Sequence, residues 1–287
     1  MKTSFLCCSS VEYTRHEDSS NAAIVYTGHG VNPLSASGLV NRLKDTHLPS
    51  SSIYQFSDSS YIDRLLSNSR GEQHRFTVMI PGGHSIQIAS SMLKKRQCLF
   101  SLLKNRIASG NTNYLGICAG GNLGCQNINI KYRNSYAVIV DNDPAHPVRT
   151  LDLLAVKAFA PTYSDVGKEG KMARISDRYS NDPYYVYWNQ GSNFSTRQRD
   201  VEILATYDDV LDKPAAVVHG KYGLGHVILT AVHPEVDSEA IHLLMPEESC
   251  RNVTDSMPEE ELAVSQDRQT LLLSSIFEKL GIRAIAS

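Results

Sequence analysis

With 287 residues the chain can form one large α/β domain or two small ones. A formal net charge of −2 gives no electrostatic case for nucleic acid or an anionic membrane as partner, and no apolar run approaches the length of a membrane span. The six cysteines (Cys7, Cys8, Cys98, Cys118, Cys125 and Cys250) show no C-x-x-C pair and no disulfide-like spacing, which points to a reducing, cytoplasmic setting.

Residues 1–20 are polar and Ser-rich and read as a flexible arm; they lack the apolar core and cleavage site of a signal peptide, and the Cys7-Cys8 pair belongs to that arm. The run Ala22-Ala23-Ile24-Val25-Tyr26 reads as a buried strand that breaks at Thr27-Gly28-His29-Gly30. A helix is expected from Ser35 to Lys44, a second strand over Ser51–Phe56 and a short helix over Tyr61–Ser67. Phe76–Ile80 is a third strand, closed by Pro81-Gly82-Gly83. From Ser90 to Ala108 the pattern is helical, with Leu99, Leu102, Leu103 and Ile107 on one face and Gly110 as the stop. Tyr114-Leu115-Gly116-Ile117 then forms a short buried strand that ends at Cys118-Ala119-Gly120-Gly121.

Alternating strands and helices predict a mostly parallel sheet flanked by helices, with ligand sites at the carboxyl ends of strands. The Gly28–Gly30 turn, the Gly82-Gly83 turn and Cys118 all fall at such ends. In the second half, Leu151–Val156, Tyr184–Trp188, Val201–Tyr207, Ala215–His219 and His226–Val232 are strand-like. Gly220-Lys221-Tyr222-Gly223-Leu224-Gly225 reads as a hairpin turn, so the sheet is expected to gain an antiparallel extension. Residues 245–265 are acidic and turn-rich and read as an exposed loop; Gln266–Leu280 reads as a closing helix. No repeat or linker divides residues 21–287, which are expected to form a single domain.

Three elements carry chemistry. Gly116-Ile117-Cys118-Ala119-Gly120 has the form of a nucleophile elbow with cysteine as nucleophile. Its glycines leave room for a sharp strand-to-helix turn, and the start of the next helix favours a thiolate. Read alone, the same pentapeptide also suits a buried structural cysteine beside a Gly-rich turn. At the end of the last strand stands His233-Pro234-Glu235, where alternate positions of an extended segment let His233 and Glu235 meet on one side. The pair supplies a base and its orienting carboxylate. Glycine N–H groups at Gly82 and Gly83, with that of Ala119, can form an oxyanion hole. Tyr185, Tyr187, Trp188 and Asn189 can line a substrate wall, with Asn189 as hydrogen-bond partner, or the aromatics can pack in the core. His29 and His84 either border the pocket or are simply exposed. His219, His226 and His233 are spread over a hairpin without a tight ligand set, so no metal is expected, and Gly220–Gly225 does not open a helix that could cradle a phosphate.

Phe76–Gly83, Gly116–Gly120 and His233–Glu235 resemble the oxyanion strand, nucleophile elbow and His-x-Glu end of class I glutamine amidotransferase-like domains. The chain also resembles the N-terminal domain of biotin-protein ligases and its stand-alone relatives. That likeness is carried by Ile24–Gly28, Tyr114–Gly120, Tyr185–Phe194 with its Asn189-Gln190-Gly191, and Val201–Pro234, and spans residues 22–236. It implies a flavodoxin-like sheet, a Cys118–His233–Glu235 triad acting through a thioester, and Gly28, Asn122, Asn189 and Gly191 around the substrate. Glutamine-hydrolysing members usually carry Gln four residues after the nucleophile; here that position is Asn122. Neither a synthetase domain nor an adenylate-forming loop is present, so ligase activity does not follow. Three readings remain open: a cysteine-dependent hydrolase or amidotransferase-like enzyme acting on a small amide or ester without a cofactor, a non-catalytic binding module, or a purely structural relative with an occluded site and an inert Cys118.

Overall fold

The computed structural model describes residues 22–46, 48, 52–58, 75–94, 98–132, 135–140, 150–163, 170–180, 182–237, 240–241 and 259–282. The expected arm at 1–20 and the short helix at 61–67 lie outside these residues. In chain order the elements are β1 (Ala22–Tyr26), α1 (Pro33–Thr46), β2 (Ile53–Phe56), β3 (Phe76–Ile80), α2 (Ser85–Lys94), α3 (Cys98–Ala108), β4 (Thr112–Ile117) and α4 (Ala119–Gly124). They continue with β5 (Cys125–Tyr132), β6 (Ser135–Val140), β7 (Leu154–Ala160), β8 (Lys171–Asp177), β9 (Tyr184–Trp188), β10 (Asn193–Thr196), β11 (Glu202–Tyr207), β12 (Ala215–Tyr222), β13 (Gly225–Thr230) and α5 (Glu259–Lys279).

Strands β2, β1, β3, β4 and β13 lie side by side and parallel. Such strands are covered on both faces and should be apolar throughout. All five residues of β3 and all six of β4 are indeed buried. The last parallel pairing matters most for the site. Thr230 of β13 lies beside Ile117 of β4, so the chain segments that follow leave the sheet at one end. One of these begins with Cys118, the other runs through Ala231 and Val232 to His233.

Beyond β13 the sheet turns antiparallel. The β12–β13 hairpin closes with Tyr222 opposite Gly225, leaving Gly223 and Leu224 as the turn; Gly223 has φ 61°, a conformation that glycine adopts without steric cost. From β12 one path runs through β10, β7, β5 and β6, and another through β11, β8 and β9. The second path brings the end of β9 back to the mouth of the parallel half, where Tyr187 and His233 form an isolated antiparallel bridge.

Helix α1 starts with proline at its first position, and the Asn32 side chain accepts the Leu34 N–H at 2.9 Å, a cap that fixes where the helix begins. Ala36, Leu39, Val40 and Leu43 form its buried face. Helix α5 begins at Glu259, seven residues before the expected start. The end of the expected 245–265 loop is therefore helical, while 242–258 lies outside the described residues. Helix α5 packs on β9 through two buried polar residues: Ser265 Oγ accepts the Tyr185 N–H at 3.2 Å, and Gln269 Nε2 donates to the Tyr185 carbonyl at 2.8 Å. Among the described residues no helix is long and apolar enough to cross a membrane.

Candidate active site

Cys118 occupies the single residue between β4 and α4, with φ 49° and ψ −101°. A positive φ is unfavourable for a residue with a Cβ and persists only where the surroundings hold it. Its N–H donates to the Thr230 carbonyl at 2.7 Å and its carbonyl accepts from Asn122 N–H at 2.9 Å. The two flanking glycines are required by close approach: a Cβ on Gly116 would lie 2.3 Å from the Gly120 carbonyl oxygen, and one on Gly120 would lie 1.9 Å from that of Ile80. The turn is therefore wedged between β3, β4 and β13.

His233 follows β13 and is held by its own backbone, whose N–H donates to the Tyr187 carbonyl at 2.9 Å. Its Nδ1 lies 2.8 Å from Glu235 Oε1, and the Glu235 side chain is wholly buried. The segment is not the extended one expected: β13 ends at Thr230, and Pro234 and Glu235 lie in a turn whose Val236 N–H donates to the His233 carbonyl at 3.2 Å, so a turn and not strand alternation brings the ring and the carboxylate together. Burial alone would lower the pKa of His233, but the negative charge of Glu235, and hydrogen bonds and charge shared with Cys118, outweigh it and raise the pKa to about 10. The ring carries a proton at neutral pH, between a buried carboxylate and the cysteine.

The expected oxyanion donors divide. The Gly82 N–H is already engaged, donating to Ser35 Oγ at 2.9 Å. Gly82 serves the site through its missing Cβ, which would lie 2.3 Å from His233 Cε1. Gly83 is exposed at φ 151°, where a Cβ would meet the Gly30 carbonyl oxygen at 2.1 Å. Its neighbours make the backbone bonds of the turn: Asn32 N–H donates to the Gly82 carbonyl and His84 N–H to the Gly30 carbonyl. Ala119 opens α4, so its N–H has no carbonyl of the same helix to meet.

The residues expected around a substrate fall in two groups. Asn122 is buried behind the elbow, where its Oδ1 accepts from Ser192 Oγ at 2.7 Å and its Nδ2 approaches Ser85 Oγ at 3.5 Å. Asn189 lies at the thiol: Cys118 Sγ faces its carbonyl at 4.0 Å, and its Nδ2 donates to Tyr187 Oη at 3.2 Å. Gly191 is a packing glycine, with its missing Cβ 2.3 Å from the Ala231 carbonyl oxygen. Gly28 opens the turn after β1, where its carbonyl accepts the Val31 N–H at 3.2 Å. Of the aromatic run, Trp188, Tyr187 and Tyr184 are core residues and Tyr185 is half-buried. His29 and His84 are exposed, and among the described residues no group of three or more His, Cys, Asp or Glu side chains is arranged to hold a metal.

One residue of the cluster was not picked out by sequence. Ser35, in the first turn of α1, donates its hydroxyl to Glu235 Oε1 at 2.6 Å while accepting from Gly82. The sequence signal was limited to a serine near a helix start, which ordinarily reads as a cap.

A family model described as Biotin-protein ligase, N terminal, matches residues 21–287. The chain belongs to the biotin-protein ligase N-terminal family. A biotin–protein ligase of Schizosaccharomyces pombe is 25% identical over 177 residues, 58% of this chain and 26% of the ligase, so the match spans about a quarter of that enzyme. An uncharacterized protein of Chlamydia muridarum is 24% identical over 269 residues, 89% of this chain and 96% of its own length. Among solved structures, a glutamine amidotransferase superposes with a TM-score of 0.52 at 14% identity, covering 82% of this chain and 100% of the other. A β-galactosidase from Bacillus circulans sp. alkalophilus gives 0.50 at 11% identity, covering 94% of this chain and 32% of that one. At such identities the likeness concerns the fold, and the amidotransferase fits the class I glutamine amidotransferase-like sheet described above.

Proposed function

We propose that this member of the biotin-protein ligase N-terminal family is a cysteine-dependent acyl-transfer enzyme acting on a small amide or ester. In this reading Cys118 attacks the carbonyl carbon and the oxyanion binds the N–H groups of Gly83 and Ala119. The His233 imidazolium gives its proton to the departing amine or alkoxide, leaving a thioester. His233 then takes a proton from water or an amine as that nucleophile attacks the thioester and Cys118 departs. Glu235 holds the ring and its charge throughout. The observation that carries the reading is the 2.8 Å contact of His233 Nδ1 with a wholly buried carboxylate, in a ring whose protonated form the charge of Cys118 also favours. Asn122, engaged by Ser192, does not favour glutamine.

A second reading, a binding module without turnover, is favoured by one observation: Cys118 is 7% exposed and its sulfur faces the Asn189 carbonyl. Iodoacetamide labelling of Cys118 across pH, followed by peptide mass mapping, separates the two. The enzyme reading expects labelling at neutral pH that slows about tenfold or more in His233→Ala. Equal rates in the two proteins would sink it, and a screen of amides and esters with Cys118→Ala as blank would then be pointless.

A further inference from the structure

The triad as described leaves one polar contact unexplained. Glu235 Oε1 receives two donors, His233 Nδ1 at 2.8 Å and Ser35 Oγ at 2.6 Å, and the Ser35 hydroxyl in turn accepts the Gly82 N–H at 2.9 Å. Ser35 is 1% exposed, Glu235 is wholly buried, and Glu235 Oε2 has no hydrogen-bond partner. The carboxylate is therefore held through a single oxygen by one imidazole and one hydroxyl. The hydroxyl's direction is decided by its partners. A backbone N–H can only donate, so Ser35 must accept from Gly82 and point its own proton at Glu235.

The sequence of α1 makes this contact possible. Residues three apart share a helix face, and here Ser35 and Gly38 share the one turned to Glu235. A Cβ on Gly38 would lie 2.8 Å from the Glu235 carbonyl oxygen, so only a bare helix turn can approach this closely. The Asn32 cap and Pro33 fix where α1 starts and hence where Ser35 stands. The same hydroxyl anchors Gly82, whose missing Cβ makes room for His233. One chain of hydrogen bonds thus runs from the turn after β3, through α1, to the carboxylate and the imidazole, and each bond in such a chain polarises the next.

Building on the triad read above, we infer that Ser35 is a positioning residue for it: its hydroxyl locks the Glu235 carboxylate in the orientation that holds His233 against Cys118 and ties that orientation to the Gly82-Gly83 turn. It touches neither the thiol nor a substrate and acts through Glu235.

The test is the iodoacetamide labelling rate of Cys118 in the full chain near neutral pH, read by peptide mapping, in a double-mutant cycle with His233. Ser35→Ala is expected to slow labelling about tenfold, the loss typical of a charge-assisted hydrogen bond. In a His233→Ala background the same substitution should have no further effect, because its route to the thiol is gone. Ser35→Thr should keep most of the wild-type rate and Ser35→Val, its isostere without the hydroxyl, should not. This second pair decides the matter should Ser35→Ala fold poorly. Slow labelling in His233→Ala with wild-type labelling in Ser35→Ala and Ser35→Val would overturn the role of Ser35 and leave the triad standing. A Ser35→Ala effect that persists without His233 would reduce it to a packing role. Wild-type labelling in His233→Ala would overturn the triad itself and the present inference with it.

Discussion

Two histidine–carboxylate pairs of almost the same geometry stand at opposite ends of the β12–β13 hairpin, one on β12 and β11 and one just after β13, and the pKa values of their histidines shift in opposite directions. At the site end, His233 Nδ1 is 2.8 Å from Glu235; at the far end, His219 Nδ1 is 2.9 Å from Glu202. Burial disfavours the charged ring in both. For His233 the opposing charge wins and the pKa rises to about 10. For His219 burial wins, reinforced by Lys279 and Lys221, and the pKa falls to about 4. Distance does not separate the two cases. What does is the company each carboxylate keeps. Glu235 is buried, with His233 and the Ser35 hydroxyl on its one engaged oxygen. Glu202 is shared with Arg178 and Lys279, so its charge is already answered. The other nitrogen of His219 faces His226 Nδ1 at 3.0 Å in a stacked pair, where the second ring adds no negative charge; for His233 the charge of Cys118 adds to that of Glu235 in raising the pKa. A histidine beside a carboxylate is thus no sign of a base until the carboxylate's other partners are counted.

The sharpest way to break this contrast is to neutralise each carboxylate in turn. Glu235→Gln should remove the charge that keeps the His233 ring protonated and slow Cys118 labelling by roughly ten- to a hundred-fold, since each pKa unit is a factor of ten in the population of the ion pair. Glu202→Gln should leave the rate within about twofold. Equal effects from the two substitutions would mean that general loss of stability, not the local carboxylate, sets thiol reactivity.

Next in size is Gly82→Ala. Its Cβ would stand 2.3 Å from His233 Cε1, in a wall closed behind by Ser35 Oγ at 3.2 Å. The ring must rotate or the turn must open. Overpacking of this kind costs about 1–3 kcal/mol. Thermal melting should register that loss, and labelling of Cys118 should fall with it. A variant that melts like the wild type and labels as fast would show that the imidazole does not need the space.

What could be read from sequence and what could not follows from the range of the interactions. The strand ending at Ile117 and the turn at Cys118 are local patterns, and each appears where the sequence places it; His233 and Glu235 do meet, but through a turn and not by the alternation of an extended strand. The β12–β13 hairpin was legible as a local pattern too. Strands β5 and β8 were not, because their mixed polar sequences, Cys125–Tyr132 and Lys171–Asp177, acquire strand character from pairing with distant partners. The start of α5 was hidden by its acidic first turns, which suit a helix N-terminus as well as a loop. Ser35 and Glu235 are 200 residues apart, and nothing in either neighbourhood announces the other. Gly82 was legible as a glycine that mattered, but whether its N–H or its empty Cβ position mattered depended on Ser35.

A third prediction uses stability in place of reactivity. The folded His233 holds its proton up to about pH 10, while an unfolded histidine releases it near 6.5. The contribution of His233 to stability is therefore complete below about pH 6.5 and is lost as pH rises through about 10. Urea midpoints of wild type and His233→Gln should converge as the pH is raised from 6 to 10. Parallel curves would mean that the ring is neutral in the native state.

The smallest effect belongs to the other pair, with the opposite sign. The folded His219 takes up its proton only near pH 4, whereas the unfolded chain binds one near 6.5. Through this window the unfolded state binds more protons, so stability falls as pH falls from about 6.5 towards 4. His219→Gln removes that titration while keeping a polar side chain between Glu202 and His226. Its urea midpoint should drop less between pH 7 and pH 5 than that of the wild type. Some loss should remain, since burial first, then the His219 charge, also lowers the pKa of His226. Cys118 labelling at pH 7 should be unchanged, because His219 and its carboxylate stand apart from the elbow. An equal midpoint drop in both proteins would show that His219 is charged in the native state, and the contrast between the two pairs would disappear.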